Sequence, residues 1–323
     1  MSFVVRAPGE GKAPPGRSAG AEFGALAPIV RDPAVTDVFV NGSGGVWVDR
    51  GQGAERHPHA IGESEARDLA VRLVAAGGRH VDEASPMIDV RLGDGVRVHA
   101  VLPPVATAGT YLSIRLPRLE RPTLAQLESD GFFAGCPASV VRGLVASRAN
   151  LLITGAGGSG KTTFLAALLG AAPSSERIVV IEDVAELRIE HPHVVTLEAR
   201  QPNLEGAGEV SLPRLVREAL RMRPDRLVLG ECRGAEVRDL LSALNTGHDG
   251  GAGTLHANSI TDVPARLEAL GALAGLDATA VARQAASAIG AVLHLERGEH
   301  GRQLGGVARL VIDERDRLAV AAL

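Results

Sequence analysis

Residues 151–163 constrain the fold more tightly than any other stretch of this chain. Leu151 to Thr154 reads as a short buried strand. It runs straight into Gly155-Ala156-Gly157-Gly158-Ser159-Gly160-Lys161-Thr162, a full match to the G-x-x-x-x-G-K-[ST] pattern. Thr162 to Leu169 then continues as a helix. Strand, glycine-rich loop and helix in that order are the context in which backbone N–H groups and a helix N-terminus cradle phosphate. Lys161 is one of only two lysines among 34 basic residues; the other, Lys12, lies in a Gly/Pro-rich tail. A compact ammonium on a flexible stem reaches between β- and γ-phosphates where a planar guanidinium fork is too wide.

The alternation that follows extends this unit into a sheet. Ile178 to Ile181 and Leu227 to Leu229 are continuous apolar runs, the mark of strands covered on both faces. Leu212, Leu215, Val216, Ala219 and Leu220 form a helical stripe between them. Strands alternating with helices imply an α/β domain with a parallel sheet. Residues 291–323 alternate in the β manner. The earlier half has a different grammar. Val38 to Val48 and Val90 to Val101 read as hairpins, the second turning near Asp94-Gly95. Ala66, Leu69, Ala70, Leu73 and Val74 share one helix face, closed by Gly77-Gly78, and Tyr111 to Leu116 is a further strand. Pro117 and Pro122 mark a linker. The expected organisation is a disordered arm over 1–20, a small α+β domain over 21–118 and an α/β domain over 119–323.

Bulk composition narrows the function. A net charge of -4 gives no global attraction to nucleic acid or anionic lipid. No apolar run approaches the roughly 18 residues of a membrane span, and residues 1–20 lack a signal-peptide core. Cys136 and Cys232 are far apart and read as reduced, buried thiols of a cytosolic protein.

The candidate chemistry clusters after the predicted strands. Gly155, Gly157, Gly158, Ser159, Gly160, Lys161, Thr162 and Thr163 would hold the phosphates, with the Thr162 hydroxyl on Mg²⁺. Glu182-Asp183, with Glu186 one turn on, and Glu231 follow two of the buried strands, at the sheet edge where ligands bind. One acid near Mg²⁺ and one to orient or deprotonate water would complete a hydrolytic site; the sequence leaves open whether Glu231 or Glu182 is the general base. His248 and His256 bracket a glycine-rich stretch able to move toward phosphate, as γ-phosphate sensors or as structural histidines. A zinc site would need more ligands. His191 and His193 read as surface residues. Arg214, Arg217 and Arg221 share a helix side, with Arg223 and Arg226 beyond. They form a solvated face or supply an arginine to a neighbouring subunit's γ-phosphate, a part Arg115 could also play.

These motifs coincide with a known pattern. Leu220 to Glu231 resembles the Walker B region of the type II/IV secretion ATPases, Thr246 to Asn258 their His box, and Ile181 to Leu187 their Asp box. Residues 193–200 resemble the segment that follows that box. Asp89 to Val98 and Ser113-Ile114-Arg115 resemble their N-terminal domain. The closest branch is the tight-adherence (Flp) pilus assembly ATPases, similar also to conjugal-transfer ATPases. The resemblance implies a RecA-like domain carrying ATP and Mg²⁺, a homohexameric ring, and a motor for pilus assembly, secretion or conjugal transfer. It implies a cytoplasmic protein at the inner face of the cytoplasmic membrane, working with polytopic inner-membrane platform proteins and without direct nucleic-acid contact. In that pattern Glu231 takes the Walker B role, Glu182 the Asp-box role, His256 senses the nucleotide, and Arg115 reaches the γ-phosphate. A tetracysteine zinc module and a long amphipathic N-terminal extension, found in some relatives, are missing. The rival reading is a hexameric nucleic-acid translocase; one Trp, one Tyr and the acidic balance argue against it.

Overall fold

The computed structural model describes residues 20–117, 122–133, 135–200, 208–298 and 301–323. The arm expected over residues 1–20 lies outside them except for Gly20. The chain divides into two compact units with the boundary between Glu120 and Arg121.

The first unit carries α1 (Ala27–Arg31), β1 (Asp37–Asn41), β2 (Val46–Asp49), β3 (Ala54–Arg56), α2 (Glu63–Ala76), β4 (Met87–Arg91), β5 (Arg97–Val101) and β6 (Tyr111–Arg115). Its six strands form one antiparallel sheet in the order β3-β2-β1-β6-β5-β4. Alternate residues of β1, β5 and β6 point inward, which is the period that selects strand over helix. Val38, Val40, Val98, Ala100, Leu112 and Ile114 meet the α2 stripe of Ala66, Leu69, Ala70, Leu73 and Val74 in a single apolar core. Gly77 ends α2 against β4, where a Cβ would stand 2.6 Å from that of Val90. Arg115 is exposed at the end of β6.

The second unit contains α3 (Leu124–Ser129), α4 (Ala138–Ala146), β7 (Leu151–Gly155), α5 (Lys161–Gly170), β8 (Ile178–Glu182), β9 (Val194–Glu198) and α6 (Leu212–Ala219). It continues with β10 (Arg226–Cys232), α7 (Glu236–Leu244), β11 (Ala252–His256), α8 (Val263–Leu273), α9 (Ala278–Ala288), β12 (Ala291–Gly298), β13 (Gly301–Ile312) and β14 (Leu318–Ala322). The sheet order is β14-β13-β12-β7-β11-β10-β8-β9. From β12 through β9 every pairing is parallel; β12, β13 and β14 are antiparallel neighbours.

Apolar residues fill the parallel strands because each strand feeds two cores. Leu152, Val179, Ile181, Leu227 and Leu229 pack with residues of α6, α7, α8 and α9. Their alternates Leu151, Ile153, Ile178, Val180 and Val228 pack with α4 and α5 on the other face. Two strands escape the hydrophobic pattern. β9 is a half-buried edge strand. β11 lies inside the stretch read as a mobile glycine-rich segment, and it is instead a buried strand between β7 and β10. The glycine just before it and the one within it serve close packing: a Cβ at Gly251 would sit 2.9 Å from Leu227 O, and one at Gly253 3.3 Å from Leu240 Cδ2.

The arginines divide by environment. Arg226 is only 2% exposed. It pairs with Glu176 and donates to Val145 O at 2.8 Å, beneath the start of β10, so it is a structural ion pair and not a mobile finger. Arg217 pairs with Asp239 and Arg221 with Glu218, while Arg214 and Arg223 are exposed. Cys232 is buried as expected, but Cys136 is only half-buried, set in the loop before α4. Truncating one partner of a buried pair strands the other charge, at a cost of about 3–5 kcal/mol. Glu176→Ala is therefore expected to lower the unfolding free energy of the chain by about 3 kcal/mol in urea titrations. A change within about 0.5 kcal/mol would mean that Arg226 finds solvent.

Candidate functional site

The phosphate loop takes its shape from glycine. Gly155, Gly158 and Gly160 have φ of 147°, 71° and 96°, in the left-handed region that favours glycine. At Gly155 a Cβ would also lie 2.5 Å from Leu295 O and 2.6 Å from Ser159 Oγ. Gly160 opens α5 with no side-chain cap, so the first-turn N–H groups of that helix are left for an anion. Ser159 Oγ is buried and has no hydrogen-bond partner among the described residues. Thr162 is half-buried and Thr163 exposed on the first turn.

Lys161 is 7% exposed. Its ammonium folds back onto the loop, donating to Gly155 O and Ala156 O, both at 2.9 Å. Burial draws its pKa below the ordinary lysine value, with Glu231 acting in the opposite direction. The third neighbour is His256 Nδ1 at 3.3 Å. Register explains the meeting: His256, the last residue of β11, pairs with Gly155, the last of β7. An ammonium only donates, so Nδ1 must accept and the ring proton sits on Nε2. Nε2 faces Glu231 Oε1 at 2.8 Å. Burial and then the Lys161 charge hold His256 below the ordinary histidine pKa, against the pull of Glu231, which keeps the ring neutral.

Glu231 carries a second partner, Arg233, whose Nη2 is 2.6 Å from Oε2. The Arg233 pKa is raised chiefly by this bond, with Asp183 and Glu186 adding to it. Glu182, 4% exposed at the end of β8, accepts at Oε1 from the N–H groups of Glu186 at 3.0 Å and Leu187 at 2.9 Å, which fixes the turn after the strand. Its side chain lies across Gly230, where a Cβ would be 2.6 Å from Glu182 Cγ. The parallel register of β8 and β10, Ile181 opposite Leu229, carries Glu182 and Glu231 to the same sheet edge.

The structure thus gathers Lys161, His256, Glu231 and Glu182 at the ends of β7, β11, β10 and β8. His248 is a correction. It precedes β11, and its Nδ1 lies 3.2 Å from Ala243 O behind α7. The intervening strand alone spans about 16 Å at roughly 3.3 Å per residue, so His248 stands at the opposite sheet edge and takes no part in the loop chemistry. His193 is exposed and His191 half-buried, its Nε2 3.0 Å from Pro173 O.

Three residues escaped the sequence reading. Arg233 follows Glu231 by two positions, just past the end of β10, and its guanidinium turns back onto Glu231 while Cys232 is buried in the core. His294, 5% exposed, interrupts the apolar run of β12; its Nδ1 is 2.8 Å from Thr154 Oγ1, the residue that leads into the loop. Arg302 on β13 crosses Gly160.

No group of three or more His, Cys, Asp or Glu suited to a metal occurs among the described residues. The loop is instead flanked by oxygen donors, the Thr162 hydroxyl and the two carboxylates. That set fits Mg²⁺, which keeps several waters and takes substrate phosphates as ligands.

The family model described as type II/IV secretion system protein matches residues 20–309. The Mycobacterium tuberculosis protein Rv3659c, provisionally named a conjugal transfer protein, is 52% identical over 287 residues, 87% of this chain and 82% of that one. The type IV secretion system protein VirB11 of Brucella suis is 32% identical over 263 residues, 72% of each chain. Among solved structures, the pilus retraction motor PilT with bound ADP superposes with a TM-score of 0.62 at 20% identity, covering 92% of this chain and 82% of that one. At that identity the likeness is one of fold: an N-terminal domain followed by a RecA-like domain.

Burial also lowers the His294 pKa, the Lys161 charge reinforcing it and Glu296 and Asp262 opposing it. The folded protein then binds that proton more weakly than the unfolded chain, so its contribution to stability is complete above about pH 6.5 and is lost as pH falls below it. Urea midpoints measured from pH 7.5 to 5.5 are expected to drop, and His294→Asn to flatten the drop. An unchanged slope in the variant would assign the acid sensitivity elsewhere.

Proposed function

The chain belongs to the type II/IV secretion system protein family, and on that premise we propose that it is an ATP-hydrolysing motor of a conjugal-transfer or secretion apparatus. The observation that carries this reading is the Lys161 ammonium, buried at the mouth of an uncapped helix and touching His256, which in turn faces Glu231. The relatives named for conjugal transfer and type IV secretion support export or transfer; assembly of a tight-adherence pilus has the weaker support of a shared fold.

In this mechanism ATP enters with its phosphates on the N–H groups of residues 157–163. Lys161 exchanges Gly155 O and Ala156 O for β- and γ-phosphate oxygens, which costs little because one oxygen shell replaces another. The Thr162 hydroxyl, Glu231 and Glu182 are the groups that would hold Mg²⁺, which would supply charge neutralisation to the phosphates. Glu231 orients and deprotonates the attacking water once phosphate binding draws His256 and Lys161 away from it. His256, with one ring nitrogen at the Lys161 ammonium and the other facing the Glu231 carboxylate, reports the presence of the γ-phosphate. Glu182 braces the turn beside the base.

We assign the chain a homo-oligomer, a hexamer by family resemblance, in which an exposed arginine, Arg115, Arg214 or Arg223, reaches a neighbour's γ-phosphate. We assign domain limits of 21–118 and 119–323 from the Pro117–Pro122 linker and the change of pattern across it. No helix among the described residues is long and apolar enough to cross a membrane. Attachment at the cytoplasmic membrane would then run through polytopic platform proteins.

Lys161→Ala is expected to abolish hydrolysis. Glu231→Gln is expected to bind ATP normally and to lower kcat by about 10²–10⁴-fold, the range for loss of a general base. Near-normal turnover in Glu231→Gln would move the base to Glu182. Light scattering of active protein is expected to show oligomers; full activity in a strict monomer would remove the neighbour's arginine from the mechanism.

A further inference from the structure

The sheet order gives the site a direction. β7 and its loop lie in the middle. On one side stand β11, β10 and β8, carrying His256, Glu231 and Glu182; on the other stand β12 and β13. A nucleoside triphosphate whose γ-phosphate faces His256 and Glu231 must extend its nucleoside the opposite way, over the loop toward β12 and β13. The side chain met there is Arg302. A Cβ on Gly160 would lie 3.2 Å from Arg302 Cδ and 3.9 Å from its Nε, so the stem rests directly on the last glycine of the loop. The residue itself is exposed.

A purine base needs a flat partner, and the second unit offers no aromatic one on this side. Its only phenyl, phenol or indole groups are Phe132, Phe133 and Phe164. All three are buried and packed on one another, with ring centroids 5.0 to 6.1 Å apart. The guanidinium plane of arginine does the same work, stacking on a base through its face.

We propose that Arg302 is the platform for the nucleotide base, stacking its guanidinium plane on the adenine while Lys161 and the loop hold the phosphates. The proposal rests on the nucleotide site described above and adds to it the determinant of base binding. It assigns the β12–β13 hairpin to the nucleoside, and the β8, β10 and β11 ends to hydrolysis.

Calorimetric titration with Mg²⁺-ATP and with Mg²⁺-tripolyphosphate, which has the phosphates and no base, separates the two halves of the site. Arg302→Ala is expected to weaken ATP binding by about tenfold, a cation–π-sized loss, and to leave tripolyphosphate binding within about twofold. Arg302→Lys, which keeps the charge and loses the plane, is expected to behave like Arg302→Ala. Lys161→Ala is expected to weaken both ligands. An equal loss for both ligands in Arg302→Ala would make Arg302 a phosphate ligand and overturn the base assignment, as would unchanged ATP affinity or full rescue by lysine. Wild-type protein that binds neither ligand would overturn the nucleotide site itself.

Discussion

Lys161 is 7% exposed, and a charge withdrawn from water needs oxygen in its place. The loop provides it from its own backbone, through Gly155 O and Ala156 O. That arrangement requires glycine where the chain turns through positive φ, a helix that starts without a side-chain cap, and a strand that ends at Gly155. The neighbours respond to the same charge. His256 is kept neutral beside it, and Glu231 is held at the far side of that ring. The site is a relay of short polar contacts from the Lys161 ammonium to a carboxylate, stretched across three adjacent strand ends.

The sheet makes this relay possible by register. Gly155 lies opposite His256 on one side and Leu295 on the other. Leu229 lies opposite Ile181, which brings the residues just beyond them, Glu231 and Glu182, to one edge. A slip of one residue in any of these pairings would turn the functional side chain to the other face. The two apolar cores that sandwich the strands, and the Arg226–Glu176 pair beneath them, therefore act on function through position. In the proposed reading the same order of strands separates the two ends of a nucleotide, with Glu231, Glu182 and His256 on one side of the loop and Arg302 on the other.

Much of this was legible in the sequence where a local signal was strong. The glycine-rich motif after an apolar run, the α2 stripe and the two N-terminal hairpins each carry their own periodicity or turn chemistry. What escaped was set by tertiary context. Thr246 to His256 is rich in glycine and reads as mobile, yet β11 packs between β7 and β10, and Gly251 and Gly253 let β10 and α7 approach closely. His248 and His256 look equivalent on paper, and the strand between them sends them to opposite edges. Arg226 belongs by spacing to an exposed series but is drawn into the core by Glu176. Arg233 and Arg302 matter through neighbours that are distant in sequence or on another strand, and no period in the chain announces them.

In the proposed mechanism the Lys161 ammonium trades the loop carbonyls for nucleotide phosphate and thereby frees Glu231. A crystal structure with Mg²⁺ and a non-hydrolysable ATP analogue tests it most directly. Nζ is expected between the β- and γ-phosphates, off Gly155 O and Ala156 O, with Glu231 released from His256 and turned toward the γ-phosphate. A bound analogue that leaves Nζ on those carbonyls, with Glu231 still against His256, would contradict it.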